Sequence, residues 1–103
     1  MSDVPAYAVV NLHVTDATTH REYERGFFPL LKKYGGEFIT YDDESFTLEG
    51  SSPRAGRMVI FTFPSEDKAR AWFADPVYQA LAEHRRAGTR LDFSTILHGR
   101  PPR

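Results

Sequence analysis

The segment from Pro64 to Gly88 constrains the fold most, because it encodes two helices separated by a break at Asp75 and Pro76. Ser65 is a good N-cap for the first helix, since its hydroxyl can accept a hydrogen bond from an amide of the first turn. The residue before a proline is pushed out of the helical region, so the first helix is expected to end just before this pair. Asp75 then caps the second helix and Pro76 occupies its first position, where a missing amide costs nothing. The segment therefore predicts a broken helical layer lying on a sheet formed by the rest of the chain.

The second helix of this segment carries a recurring stripe. Val77, Leu81 and His84 are spaced at i, i+4 and i+7, which predicts that His84 continues an apolar face at its wet end. Arg85 and Arg86 occupy the last turn, where the helix dipole favours cations.

Runs of apolar residues predict the strands, at Ala6–Val14, Glu37–Tyr41, Phe46–Glu49, Arg57–Phe63 and Leu91–Leu97. The strand Arg57–Phe63 is close to continuously apolar, which favours burial on both of its faces. A first helix follows Asp16 and ends at Gly35 and Gly36, and Pro29 is expected to kink or break it near Gly26.

The order of these elements predicts an α+β fold, a ferredoxin-like βαββαβ domain with one antiparallel sheet and its helices on one side. Residues 1–103 form a single domain in this interpretation, with a flexible tail at 100–103. Because the helices cover only one side of the sheet, we expect a homodimer in which two sheets pack face to face.

Composition excludes several classes of function. The net charge of −1 leaves no basic excess for nucleic acid. The absence of cysteine excludes disulfides, zinc–cysteine sites and thiol catalysis. No apolar run is long enough to cross a membrane and no signal peptide is evident, so we expect a cytoplasmic protein without a membrane partner.

Several segments resemble one known family. They are KKYGGEF at 32–38, LEG at 48–50, FTFPS at 61–65 and KARAWFADPVYQALAEHRR at 68–86. Together they resemble the bacterial domain of unknown function 1330 family, of the dimeric α+β barrel superfamily. The resemblance implies a ferredoxin-like fold that dimerises through its sheets, with a cleft between helices and sheet, and it implies no activity.

Neighbouring families of that superfamily include haem-degrading and cofactor-free monooxygenases, chlorite dismutases and lactone isomerases. The resemblance places Asn11 and Trp72 at the positions of an Asn and a Trp of the haem-degrading type. Its haem-ligating His position falls on Ala82, whereas His84 lies two residues on, about 200° around a helix. We therefore expect no cofactor.

Histidines supply the candidate bases. His13 shares a strand face with Asn11 and could shuttle a proton in a cleft, or could lie at the dimer seam. His84 could face the cleft as a base, or could simply end an apolar stripe. His20 and His98 are expected to be solvated, and the spacing of the four histidines gives no metal signal.

Three further residues are ligand-binding candidates beside Asn11, His13 and His84. Arg57 could recognise a carboxylate, or could pair with Glu49. Trp72 and Tyr34 could line the cleft with their polar groups, or could serve only as core.

Three hypotheses for function follow from the sequence. The leading one is a homodimer that binds a small organic molecule, such as an aromatic or carbonyl compound, in the cleft between helices and sheet. The second is a cofactor-free monooxygenase or isomerase with His13 or His84 as general base. The third is a non-catalytic structural or interaction module.

Overall fold

The computed structural model describes residues 4–100, which form four strands and three helices. The strands are β1 (Ala6–Val14), β2 (Glu37–Asp42), β3 (Arg57–Phe63) and β4 (Thr89–His98). The helices are α1 (Ala17–Lys33), α2 (Glu66–Ala74) and α3 (Pro76–Gly88). The predicted tail lies outside the described residues, apart from Arg100.

The four strands form one antiparallel sheet in the order β2-β3-β1-β4. The predicted α+β class and ferredoxin-like βαββαβ order are therefore confirmed. Within residues 4–100, no helix is both long and apolar enough to span a membrane.

Local chemistry sets the helix ends much as the sequence predicts. The side chain of Ser65 accepts a hydrogen bond from the Lys68 amide at the start of α2, and that of Asp75 accepts one from the Val77 amide at the start of α3. After α1, Gly35 adopts a φ of 76°, a left-handed conformation that costs glycine little. The broken helical layer of the sequence is thus present.

The burial of alternate residues along β1 shows which side of the sheet faces the core. Ala6, Ala8, Val10 and Leu12 are buried and face the helices. Their antiparallel partners on β3, among them Val59 and Phe61, share this inner face because paired residues point to the same side. The core joins this face to the helix residues Tyr23, Phe27, Leu31, Ala69, Trp72, Tyr78 and Ala82.

Two predicted features of the first half are wrong. Phe46–Glu49 is not a strand, and the side chains of Phe46 and Leu48 are 82% and 90% exposed. The segment lies in a long exposed connection and has no sheet partner that would bury its apolar residues. In addition, α1 continues as one helix through Pro29, so the break expected there as the alternative to a kink is absent. The apolar stripe of α1 packs against the core on both sides of the proline.

The predicted stripe of α3 is wrong at both of its ends, although its middle residue, Leu81, is partly buried and packs against the core. Val77 is 60% exposed and His84 is exposed, whereas Tyr78, Ala82 and Arg85 are buried. The phase is reset at the break between α2 and α3, so the face that meets α1 begins at Tyr78. Arg85 lies in the last turn as predicted, and its side chain is buried.

Candidate functional site

A pocket of about 210 Å³ lies between the helices and the inner face of the sheet. Its lining comes from all three helices and all four strands. The residues are Val10, Leu12, His20, Tyr23, Glu24, Phe27, Phe28, Phe38, Tyr41, Arg57, Val59, Phe61, Trp72, Tyr78, Arg85, Leu91 and Ser94. An engineered apolar cavity of about 150 Å³ is large enough for benzene. This pocket therefore has room for a small aromatic molecule.

Aromatic rings form most of the wall. The ring centroids of Trp72 and Tyr78 are 4.1 Å apart, and those of Phe27 and Phe61 are 5.1 Å apart in an edge-on arrangement. Aromatic faces and edges favour a second planar ring in offset or edge-to-face contact. The wall is thus suited to a flat, unsaturated ligand.

His20 belongs to this pocket, although the sequence predicts a solvated position for it. Its side chain is 5% exposed, and its ring stacks on Tyr23 at a centroid distance of 5.6 Å. Burial lowers the pKa of His20, and the neighbouring Glu24 carboxylate offsets only part of that effect. The imidazole is therefore expected to be neutral near pH 7 and able to accept a proton.

Two buried nitrogens of the pocket residues have no hydrogen-bond partner within residues 4–100. They are Nδ1 of His20 and Nε1 of Trp72, which is itself only 5% exposed. A buried polar atom without a partner costs about 1–3 kcal/mol. A polar group of a bound molecule, or water, could offset this cost after a small ring movement.

The pocket lining also includes two phenols and a buried cation, those of Tyr23, Tyr78 and Arg85. Oη of Tyr23 and Oη of Tyr78 are 3.0 Å apart, and burial raises the pKa of Tyr23 well above its usual value. The guanidinium carbon of Arg85 lies 5.8 Å from the Tyr23 ring centroid, and Arg85 itself is 7% exposed.

Arg57 also lines the pocket, and several contacts hold its guanidinium group in place. Its Nε and Nη2 donate to the two carboxylate oxygens of Asp43 at 2.8 and 3.1 Å, and its Nη1 donates to Glu24 at 3.1 Å. Its guanidinium also lies over the Tyr41 ring, 4.7 Å from the centroid. The hydrogen bonds to Asp43 raise the pKa of Arg57. The predicted pairing with Glu49 is wrong, because Asp43 and Glu24 take this role.

Asn11 and His13 lie on the other side of the sheet. Val10 and Leu12 line the pocket, so the residues that alternate with them point away from it. Nδ2 of Asn11 donates to the carbonyl oxygens of Ala55 and Arg57 at 2.9 and 3.2 Å, which closes the connection before β3 over that face. The placement of Asn11 and Trp72 together in a haem-degrading site is not reproduced.

His13 makes a different contact on that outer face. Its Nε2 lies 2.9 Å from Oδ2 of Asp92 on β4, and its ring packs close to Gly56. Neither Asn11 nor His13 is among the pocket residues.

Tyr34 and His84 also lie outside the pocket. The hydroxyl of Tyr34 donates to Oδ2 of Asp75 at 2.6 Å and thereby ties the end of α1 to the break between α2 and α3. His84 projects from the exposed side of α3. Of the predicted site residues, the pocket brings together Arg57 and Trp72.

The burial of His20 could have been predicted from its spacing in the sequence, although histidine is a polar residue. His20, Tyr23, Phe27 and Leu31 follow helical spacing, so His20 extends the buried stripe of α1 toward its start. Arg85 has a similar signal, three residues after the buried Ala82. In the described part of the chain, no three His, Asp or Glu side chains cluster as metal ligands.

Comparisons with known proteins agree with this architecture. The family model described as Domain of unknown function (DUF1330) matches residues 5–98. No match was found among curated proteins.

Solved structures share the fold at low sequence identity. A protein of unknown function from Rhodopseudomonas palustris, RPA0582, is 18% identical with a TM-score of 0.72, over 98% of this chain and 85% of that one. SnoaB, a cofactor-independent oxygenase from Streptomyces nogalater, is 16% identical with a TM-score of 0.57, over 97% of this chain and 95% of that one. At these identities the likeness shows the fold alone.

Proposed function

The chain belongs to the family described as domain of unknown function (DUF1330), and we propose that it binds a small aromatic or carbonyl compound in the pocket between its helices and sheet. One observation carries this proposal. An aromatic-walled pocket of about 210 Å³ includes His20 and Trp72, each with a buried nitrogen that lacks a partner within residues 4–100. A planar ligand with one polar group would fill the apolar space and could satisfy such a nitrogen.

The single tryptophan of the chain provides a direct test, because Trp72 lines the pocket. Acetophenone, a neutral aromatic ketone, is titrated while tryptophan fluorescence and the thermal midpoint are followed. Val59→Phe places a larger side chain on the pocket wall. Ile60→Phe, the neighbouring residue on the opposite face of β3, is the matched control.

We expect saturable quenching and a raised thermal midpoint in the natural protein and in Ile60→Phe, and a large loss of both effects in Val59→Phe. Quenching that does not saturate, or that is equal in both variants, contradicts binding in this pocket.

A second candidate function is cofactor-independent oxygenation, which His20 and the fold shared with SnoaB favour. A neutral buried imidazole could take a proton from an acidic CH₂ group of the ligand, leaving the electron pair on the substrate as an enolate. Those electrons would reduce O₂, so that one oxygen atom becomes a new carbonyl and the other leaves as water. The sequence candidates His13 and His84 do not line the pocket, so this role passes to His20.

Oxygen uptake with anthrone, a ketone that has such a CH₂ group, tests this candidate. Uptake above the uncatalysed rate that is lost in His20→Gln supports it. An unchanged rate in His20→Gln contradicts it.

We also propose that a second copy of the chain covers the outer face of the sheet, the face opposite the pocket. The residues that support this are half-buried or exposed and largely apolar: Tyr7, Val9, Met58, Ile60, Phe93 and Leu97. The described part of the chain is only 17 Å thick in its smallest dimension, as one sheet with one layer of helices would be. Native mass spectrometry of the purified protein tests the proposal, since a dimer mass supports it and a monomer mass contradicts it.

A further inference from the structure

The pocket contains a buried cation that has no counter-ion within residues 4–100. Arg85 is 7% exposed and lines the pocket beside Tyr23. Arg57, Arg86 and Arg90 each form an ion pair, whereas Arg85 forms none with any carboxylate within residues 4–100. The contrast with Arg86 is direct, because that neighbouring side chain points outward and pairs with Glu83.

The nearby acid is already engaged. Glu24 lines the same pocket, but its Oε2 is 3.1 Å from Nη1 of Arg57 and 3.8 Å from Nε2 of His20. Arg57 is further neutralised by the two hydrogen bonds to Asp43. Arg57, Asp43 and Glu24 together carry a net charge of −1, but both carboxylates bind Arg57, and neither forms an ion pair with Arg85.

The neighbours of Arg85 within residues 4–100 supply no counter-ion. Burial raises the pKa of Tyr23 well above its usual value, so its hydroxyl, which bonds to that of Tyr78, carries no charge near pH 7. Ser94 contributes only a hydroxyl to the lining. Burial of a charge is costly unless the charge is paired, so an anion that enters with the ligand would gain both the pairing and the hydrogen bonds.

The guanidinium group of Arg85 is suited to binding an anion. Its planar fork can donate two parallel hydrogen bonds to a carboxylate, and such bonds are about twice as strong as bonds between neutral groups. The aromatic wall then holds the rest of the molecule. Arg57 was the sequence candidate for carboxylate recognition, but its fork is already occupied by a carboxylate of the chain itself.

We propose that the ligand is an aromatic anion whose charged oxygens bind the guanidinium of Arg85 while its ring packs among Phe27, Phe61 and Trp72. This proposal rests on the proposed function, because it concerns the same pocket, and it goes further by assigning the charge of the ligand and the residue that recognises it.

Benzoate and benzamide are the probes, because they have the same shape and differ in charge at pH 7. Both are titrated by tryptophan fluorescence against the natural protein, Arg85→Gln, Arg85→Lys and Arg86→Gln. Arg86→Gln is the matched control, since it removes the same charge from the outward side of the same helix turn. Circular dichroism confirms that each variant is folded.

We expect benzoate to bind about tenfold more tightly than benzamide, both to the natural protein and to Arg86→Gln. This ratio corresponds to the difference in strength between a charged and a neutral hydrogen bond. Arg85→Gln should lose this preference while keeping its affinity for benzamide, and Arg85→Lys should retain part of it. If Arg85→Gln does not fold, the comparison of the two probes on the natural protein and on Arg85→Lys still decides the question.

Equal affinities for benzoate and benzamide in the natural protein would overturn the proposal, as would a preference that survives in Arg85→Gln. In either case the pocket would remain a site for neutral aromatics. Failure of acetophenone, benzamide and benzoate alike to bind would instead contradict the proposed function itself, and the charge assignment would fall with it.

Discussion

The hydroxyl of Tyr34 donates a 2.6 Å hydrogen bond to Oδ2 of Asp75, a residue 41 positions further along the chain. The same carboxylate caps α3 by accepting from the Val77 amide through Oδ1 and also pairs with Lys33 at 3.2 Å. One side chain therefore joins the end of α1 to the break between the other two helices. The sequence pair Asp75-Pro76 is both a helix signal and a tertiary anchor.

We predict that Tyr34→Phe lowers the thermal midpoint by several degrees, because the substitution leaves the carboxylate of Asp75 without its closest donor. Tyr41→Phe is the control, since the hydroxyl of Tyr41 has no hydrogen bond among the described contacts and the ring over which Arg57 lies is kept. Thermal unfolding followed by circular dichroism measures the effect. Equal midpoints for the two variants would contradict a stabilising role for this bond.

The free energy of unfolding at acidic pH should depend on the ionisation of Asp75. Hydrogen bonds from the Tyr34 hydroxyl, the Val77 amide and the Lys33 side chain lower the pKa of Asp75 from 3.8 to about 2. A carboxyl whose folded pKa is depressed stabilises the protein above its unfolded pKa, and this contribution is lost as pH falls through its folded pKa. Asp75→Asn, which keeps an N-cap residue, should therefore be less stable than the natural protein at pH 6.

The stability difference between Asp75→Asn and the natural protein should shrink as pH falls from about 4 toward about 2, the range between the unfolded and folded pKa values. Urea unfolding at a series of pH values measures it. A difference that stays constant across this range would show that Asp75 does not titrate as the structure indicates.

His20 should produce a pH dependence of the same sign in a higher pH range. Burial lowers its pKa, so the unfolded chain binds a proton at His20 more readily than the folded chain does. The contribution of His20 to the free energy of unfolding is therefore lost as pH falls below 6.5, the pKa of histidine in the unfolded chain. We predict that His20→Gln weakens the decline in stability between pH 7 and pH 5.

His84→Gln is the control for that prediction, because His84 lies exposed on α3. The stability of this variant, measured over the same pH range, is the reference against which the His20→Gln profile is compared. Identical profiles for His20→Gln and the natural protein would argue against a buried, neutral imidazole at His20.

Much of the fold could be predicted from the sequence, because caps, glycine turns and apolar runs are local signals. The N-caps Ser65 and Asp75 and the strand Arg57–Phe63 are examples, and each is present as predicted. The order of the elements predicted one antiparallel sheet with its helices on one side, and the resemblance to a family implied the same ferredoxin-like fold. Phe46–Glu49 shows the limit of local signals, since apolar residues alone do not supply a strand partner.

The candidate site was harder to predict, because it depends on which face of each element points inward. The break before α3 hides the phase of that helix, and an error of one residue exchanges Arg85 for His84 as the inward side chain. On β1 the period of two leaves either face possible, and the structure places Val10 and Leu12, rather than Asn11 and His13, toward the helices. His20 is predicted to be solvated from its place near the start of the first helix, although its spacing matches the buried stripe of α1.

Close contact between α3 and α1 at Gly88 should be needed to shape the pocket near His20. A Cβ atom at Gly88 would lie 2.7 Å from the backbone nitrogen of His20, and the carbonyl of Gly88 accepts hydrogen bonds from the amides of Thr15 and Asp16. We predict that Gly88→Ala lowers the thermal midpoint and weakens acetophenone binding, since backbone must move to relieve the contact. Ala87→Ser, on the exposed neighbouring position, should do neither, and equal behaviour of the two variants would contradict the prediction.

The outer face of the sheet should hold the proposed dimer together. Ile60 lies on β3 between Val9 of β1 and Thr40 of β2, near the middle of that face. Ile60→Lys would place a charge where a second sheet is proposed to pack, and burial of an unpaired charge opposes association. We predict that native mass spectrometry finds a dimer for the natural protein and a monomer for Ile60→Lys.

Ala71→Lys, on the exposed side of α2, is the control for added charge and should remain a dimer. Circular dichroism separates loss of assembly from loss of folding, and a folded Ile60→Lys variant that is still dimeric would mean that the two copies meet elsewhere.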